Sequence, residues 1–313
     1  MKKKTPFIRR KISAFFFCLI GVFFMSCGLE QIIYVEGPVQ LVNGPVYNSS
    51  DYSKWYFAFV KKLISDSNVN VIGTEVYYKI YSNSSTLLSQ VNSITSVNSS
   101  SNSTAAFQKM TDTYSYQPLR WGYCDFEKNT VSLGSAISTF FDGNDGNSVR
   151  FRLKSYMEEQ SSVAYSAYYV SEIFTSGSDM VWKCKGYYSN SGLINDVYFK
   201  SDSSGDKFYK DRNLTEEIQI GKNGDFVLCQ PVRNLQGKYK SFNFFPSSTE
   251  NLNSLLNGSP ESDDIDFCYS DSPDEDVYYV QCFAVTVAFD SSSLSNSYSV
   301  LLDLGAVPVR KGE

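Results

Sequence analysis

The chain opens on a block of cations, Lys2, Lys3, Lys4, Arg9, Arg10 and Lys11, and then runs almost wholly apolar from Ile12 to Met25 before Ser26-Cys27-Gly28. That run is shorter than the roughly 20 apolar residues a bilayer crossing needs, and it ends in small residues as a processing site does. Downstream the pattern changes to a period of two. Val76, Tyr78 and Ile80 alternate against Tyr77, Lys79 and Tyr81 after Gly73, which predicts a strand, and Trp55 to Val60, Val149 to Leu153 and Ala164 to Phe174 read the same way. Val277 to Phe289 predicts a long strand, residues 290–297 a polar turn, and Tyr298 to Val309 a closing strand.

Two segments carry helical spacing instead. Between Ser84 and Ser100, Leu87, Leu88, Val91 and Ile94 fall on one face with serines available as caps, and Ser247-Ser248-Thr249-Glu250 forms a capping box ahead of Leu252, Leu255 and Leu256, closed by Gly258 and Pro260. Two further hairpins are predicted from turn chemistry. One places Val197–Lys200 against Lys207–Lys210 around Asp202-Ser203-Ser204-Gly205; the other places Glu217–Ile220 against Asp225–Leu228 around Gly221-Lys222-Asn223-Gly224. With 23 Tyr and 23 Phe set between short polar intervals, the composition is that of a mainly β protein.

Phe24-Met25-Ser26-Cys27 resembles the lipobox of bacterial lipoproteins in a relaxed form, and is similar to the boxes of spirochaete (treponemal-type) lipoproteins. The resemblance implies that residues 1–26 are a signal peptide, that Cys27 is lipidated, and that residues 27–38 are a tether soon joining a sheet. It implies a cell-envelope protein anchored to the inner or outer membrane, with the bilayer as its partner through Cys27. The two ends of the exported part resemble fibronectin type III domains. Gly73, Val76 and Tyr78 match the third strand of that family, and Tyr278, Val280 and Ala284 with Ser299 match its last two. This implies a fibronectin- or immunoglobulin-like β-sandwich with an elaborated or inserted middle region containing two short helices. On this reading one β-rich lobe with a helix covers 39–160, and a second covers 161–313, whose last hairpin at 277–309 completes the first sandwich. The soft boundary falls near 159–162.

Processing at Cys27 removes six of the 28 basic residues and none of the 33 acidic ones, so the formal charge moves from -5 to -11. A chain this acidic, with no basic stripe, has no footprint for a phosphate backbone, and nucleic acid is excluded as a partner. Of seven cysteines, Cys18 lies in the signal, Cys27 carries lipid, and Cys124, Cys184, Cys229, Cys268 and Cys282 remain. Five thiols allow at most two internal bridges of unreadable connectivity. Cys282 shares strand parity with Tyr278, Val280 and Ala284 and is expected in the core.

There is no histidine, which removes Ser-His-Asp and Cys-His catalysis and every histidine-ligated metal. Glu158 with Glu159 and Glu216 with Glu217 are sequence neighbours that point to opposite faces of a strand, so neither makes the facing pair of a glycosidase. Ser204-Gly205-Asp206-Lys207 matches Ser-x-x-Lys, but it sits in a predicted turn rather than at a helix start. Residues 142–147 have the residue types of a calcium loop without its register. Residues 261–276 carry eight carboxylates, Glu261, Asp263, Asp264, Asp266, Asp271, Asp274, Glu275 and Asp276, and read first as a solvated loop and second as a collector of cations. Trp121 and Trp182 are expected in the core, with a sugar- or peptide-binding surface as the other reading. No catalytic residue, metal ligand or cofactor is assigned. The expected function is a non-catalytic surface or periplasmic binding or structural module with a protein or glycan ligand; the alternative is a carbohydrate-binding or carbohydrate-active protein using aromatics and carboxylates.

Overall fold

The computed structural model describes residues 34–41, 44–45, 56–62, 70–125, 130–132, 141–142, 146–153, 172–176, 179–188, 191, 193–202, 205–219, 226–242, 244, 258–291 and 293–310. Cys27, the signal segment, Trp55, the capping box at 247–250 and the boundary at 159–162 lie outside them. Val35–Glu313 forms one compact unit. The protein is mainly β, and among the described residues its strands, numbered in chain order, make three sheets.

The first sheet runs β1 (Val39–Gln40), β2 (Phe57–Val60), β8 (Ser148–Phe151), β9 (Glu172–Ser176), β10 (Asp179–Tyr188), β11 (Leu193–Asp202), β12 (Gly205–Tyr209) and β13 (Glu217–Ile218), with β14 (Phe226–Leu228) also on β10. A smaller sheet runs β16 (Tyr239–Lys240), β15 (Gln230–Asn234), β5 (Arg120–Asp125) and β6 (Thr130–Ser132). The third has β3 (Asn70–Tyr81) and β18 (Val277–Asp290) at its centre. β17 (Phe267–Cys268), β4 (Gln117–Pro118) and β7 (Phe141–Asp142) pair with β3, while β19 (Ser295–Tyr298) and β20 (Leu302–Arg310) pair with β18. All three sheets draw strands from both sides of residue 160.

The alternation read in β3 is the alternation of its two faces. Val76, Tyr78 and Ile80 enter the main core with Val280, Cys282 and Ala284 of β18, whereas Tyr81, Phe283, Val285 and Val287 enter a second cluster on the other face. Cys282 is fully buried, as its parity predicts. The second cluster is roofed by helix α1 (Ser84–Thr95), which contributes Val91 and Ile94, and by α2 (Ser103–Gln108) with the π-helical turn Lys109–Thr113, which contribute Ala106, Phe107 and Met110. Sandwiching β3 and β18 between two apolar layers removes both strands from water on both sides, and it explains the unbroken burial from Val280 to Ala288.

Three expectations are corrected. The cap of α1 is Asn83 rather than a serine: its Oδ1 accepts from the Thr86 amide at 3.0 Å, while its Nδ2 donates to Ser272 O at 2.8 Å and Asp274 Oδ1 at 3.1 Å. Asn83→Ala should therefore cost about 1–2 kcal/mol in a urea titration, the upper end of a cap deletion, because the acidic segment loses its hold as well. The helix predicted after the capping box at 247–250 lies outside the described residues, whose second helix is α2, directly after α1. Among the described residues the two arms of the predicted 217–228 hairpin do not pair with each other: β13 pairs with β12 and β14 with β10, whereas β11 and β12 do close around Asp202 and Gly205. The closing strand is two strands, because Ser299 leaves the ladder to bond Thr286 through both its amide and its hydroxyl, and Asn98 grips Leu301 at both amide and carbonyl.

The break at Ser299 makes room for the N-terminal segment. A Cβ on Gly37 would sit 3.0 Å from Val300 O and 3.2 Å from Ser299 Oγ, so a side chain there would push the two backbones apart by a few tenths of an ångström. Val35 and Pro38 are already buried, so the body begins within the stretch read as tether.

Candidate functional site

Acidic residues 261–276 fold back onto the protein's own cations and amides. Arg233, in the middle of β15 and fully buried, donates from Nε to Asp266 Oδ2 at 2.9 Å and from Nη2 to Asp266 Oδ1 at 2.5 Å and Asp264 Oδ2 at 2.7 Å, and its Nη1 reaches Gly258 O at 2.6 Å. Tyr78 Oη donates to Asp266 at 2.6 Å and accepts from the Asn234 amide at 2.7 Å. Each nitrogen of the guanidinium thus meets an oxygen, the condition under which a buried ion pair is tolerated. Burial and the Asp266 carboxylate hold the Tyr78 hydroxyl well above its usual range, so it stays a neutral donor.

Beyond Asp266 the segment zips along β3. The Ile80 amide donates to Asp266 O, Phe267 and Cys268 run parallel to Ile80 and Tyr81, and Asp274 accepts from the Ser84 amide at the start of α1. An acidic side chain at a helix N-terminus is stabilised there by the exposed amides and the dipole. Glu261, Asp263 and Asp264 bring one oxygen each within 4.8 Å of the others. Lys240 stands over them, 2.8 Å from Glu261 and 3.6 Å from Asp264, and Arg233 is on Asp264, so two protein cations already face this carboxylate group. The segment works as a clasp between β15, β3 and α1.

A second buried charge cluster lies on the inner face of the first sheet. Glu172 accepts from Lys61 at 2.7 Å and forms an ion pair with Lys183 at 2.8 Å, and Lys185 pairs with Asp196 at 2.7 Å. Burial lowers the affinity of the Lys183 amine for its proton, but Glu172 and Asp196 outweigh it and leave the amine more basic than usual.

Of the predicted aromatic sites, Trp121 is buried at 1% exposure and meets Phe141 edge-on at 5.9 Å. Trp182 is half-buried, stacked on Phe199 at 6.0 Å. Glu216 pairs with Lys210, away from any facing carboxylate among the described residues. Lys207 lies on the β11–β12 hairpin, and Ser204 is outside the described residues. Cys184, Cys229, Cys268 and Cys282 form no disulfide; burial pushes the Cys184 and Cys282 thiols well up, which keeps them unreactive. Arg233 and Glu172 were not singled out from sequence. Their signal was a lone charge inside an apolar strand, in Pro231-Val232-Arg233 and in Glu172-Ile173-Phe174. Comparisons of the chain with protein-family models, with curated proteins and with solved structures give no match.

Proposed function

We propose that this chain is a bacterial lipoprotein, anchored through Cys27, whose body is a non-catalytic binding or structural module of the cell envelope. The observation that carries the reading is the order basic block, short apolar run and Ser26-Cys27, followed by a folded unit that is already packed at Val35. Seven residues lie between Cys27 and Val35, and a fully extended chain over those eight steps spans at most about 28 Å, so the body would be held close to its membrane. The non-catalytic part is supported by the absence of histidine and by the commitment of the buried carboxylates of the described residues to arginine and lysine. The fibronectin-like reading of the ends is supported by the antiparallel order β3, β18, β20, which matches the C, F and G strands of an immunoglobulin-type sheet.

Cys27→Ala is expected to abolish incorporation of labelled palmitate and to move the protein from the membrane fraction to the soluble one. Labelling that persists in the variant overturns the anchor. Several acyl chains at about 0.8 kcal/mol per buried CH₂ give lasting attachment, so the expected change is complete rather than partial. Carbohydrate binding without hydrolysis is the second reading, favoured by the half-buried Trp182 beside an arginine.

A further inference from the structure

Lys61 follows β2 and Asn147 precedes β8, and the β2–β8 ladder sets the two opposite each other: Val60 faces Ser148, and the Lys61 amide donates to Asn147 O at 3.0 Å. Directly opposed residues of an antiparallel pair share a face, with Cβ atoms about 4.5–5.5 Å apart. That face is the inner one, since Phe59 and Val149, two residues away on each strand, belong to the main core. The Lys61 amine lies 2.7 Å from Glu172 of β9, which opposes Val149 on the far side of β8, and both side chains are 1% exposed. Reaching from β2 to β9 carries the lysine side chain across β8, in the row that Asn147 and Val149 occupy. The topology thus brings a buried amine, a carboxylate and a carboxamide to one spot. Lys183 is on the same Glu172, and Lys185 is on Asp196, so among the described residues three ammonium groups share two carboxylates here. A surplus charge taken out of water is costly. Turning Lys61 into a neutral amide removes the surplus and leaves Glu172 and Lys183 as a one-to-one pair.

We propose that Lys61 and Asn147 become joined by an isopeptide bond, made by the folded chain itself with Glu172 as the proton carrier. Lys61 Nζ attacks Asn147 Cγ; the Nζ–Cγ bond forms and the Cγ–Nδ2 bond breaks. The two protons that the lysine ammonium gives up pass through Glu172 to Nδ2, which departs as ammonium. Atoms and charge balance, the carboxylate ends as it began, and no oxidant or cofactor is consumed. A carboxylate 2.7 Å from the amine is within reach for that transfer, and the attack is that of a lysine nucleophile beside its base. Asn147 is only half-buried, so the leaving ammonium has a way to water. The bond ties β2 to β8 and closes the chain from Lys61 to Asn147 into a loop that persists when the protein unfolds, which restricts the unfolded state as a disulfide does. The inference goes beyond the binding-module reading and does not depend on the anchor.

The test is tandem mass spectrometry of a tryptic digest of the full chain, purified folded in detergent. Trypsin cuts after Lys54, Lys62, Lys128 and Arg150 but not after an acylated Lys61. The wild type should therefore give peptide 55–62 joined to peptide 129–150, lighter than the two together by one ammonia. Glu172→Gln should give the peptides unjoined, and so should Asn147→Ala. Lys61→Arg keeps a cation on Glu172 but cannot form the bond, and it decides the matter if Glu172→Gln fails to fold. Asn147→Asp should still join them, now with loss of water, because the same attack expels hydroxide protonated by Glu172. Cleavage after Lys61 with peptide 129–150 recovered unjoined from the folded wild type overturns the proposal. Loss of ammonia confined to 129–150, as an asparagine closing on its own backbone gives, overturns it too. Joining that persists in Glu172→Gln overturns the role of the carboxylate and with it the reaction written here.

Discussion

Arg233→Met should lower the stability of the body by about 3–5 kcal/mol, the range for removing one partner of a buried ion pair, and the loss should appear as a fall in the urea midpoint. The variant strips Asp266 of its bidentate partner and Asp264 of one of its two cations, and it leaves Gly258 O without its donor. The same clasp makes the wild type acid-labile. Burial raises the Asp264 carboxyl, but the Glu261 amide, the Arg233 guanidinium and Lys240 together outweigh it and hold the group below its usual range. A carboxyl depressed in the folded state contributes stability that is present above its unfolded value of about 3.9 and is lost as pH falls through its lower folded value. Melting temperature should therefore drop on acidification below about pH 4 in the wild type, and drop less in Arg233→Met. Equal acid sensitivity in the two proteins would remove Asp264 from the account.

Trp121→Ala should cost about 3–5 kcal/mol, since it empties the largest fully buried side chain of the main core. Trp121 sits on β5 against Phe141, and Phe141 in turn meets Phe59 of β2 and Phe151 of β8, so the indole touches the wall that joins the sheets. In differential scanning calorimetry Trp121→Ala should melt far lower than wild type, and Trp182→Ala, whose half-buried indole loses its stack on Phe199, lower by a smaller step. A Trp121→Ala protein with an unchanged melting temperature would mean that the indole packs loosely and that the core is centred elsewhere.

What the chain disclosed of its fold depended on the range of the interaction concerned. The alternation around Tyr78 and Val280 reports a face buried by neighbours, and it is written residue by residue, so β3 and β18 were legible. The turn at Asp202–Gly205 was legible because its chemistry is local. Gly221–Gly224 has equally good turn residues, yet Ile218 packs beside Phe208 while Leu228 lies against Gly186, because partner choice is settled by the core and not by the turn. The α2 helix was hidden by Ser103, Thr104 and the serines before it, although Ala106, Phe107 and Met110 keep helical spacing. The acidic segment was read as charge alone. Its meaning lies in Arg233, 33 residues from Asp266, and an ion pair at that separation leaves no periodic mark. Asn147 stands just before a segment correctly read as a strand, but its company, Lys61 and Glu172, comes from the ends of two other strands.

The pairing of β3 with β18 sets Ile80 beside Val280, 200 residues along the chain. Contacts of such high sequence separation are slow to form, because a long loop must close before the ladder rewards it. A ribosome that has released β3 has not yet made its central partner, nor the clasp at 261–276 that secures it, so the sheet cannot assemble until almost the whole chain is out. On the exported-lipoprotein reading proposed above, this topology would act as a timer: translocation would have the whole of synthesis in which to begin, and folding before export would be prevented by the absence of the last 40 or so residues rather than by a chaperone alone.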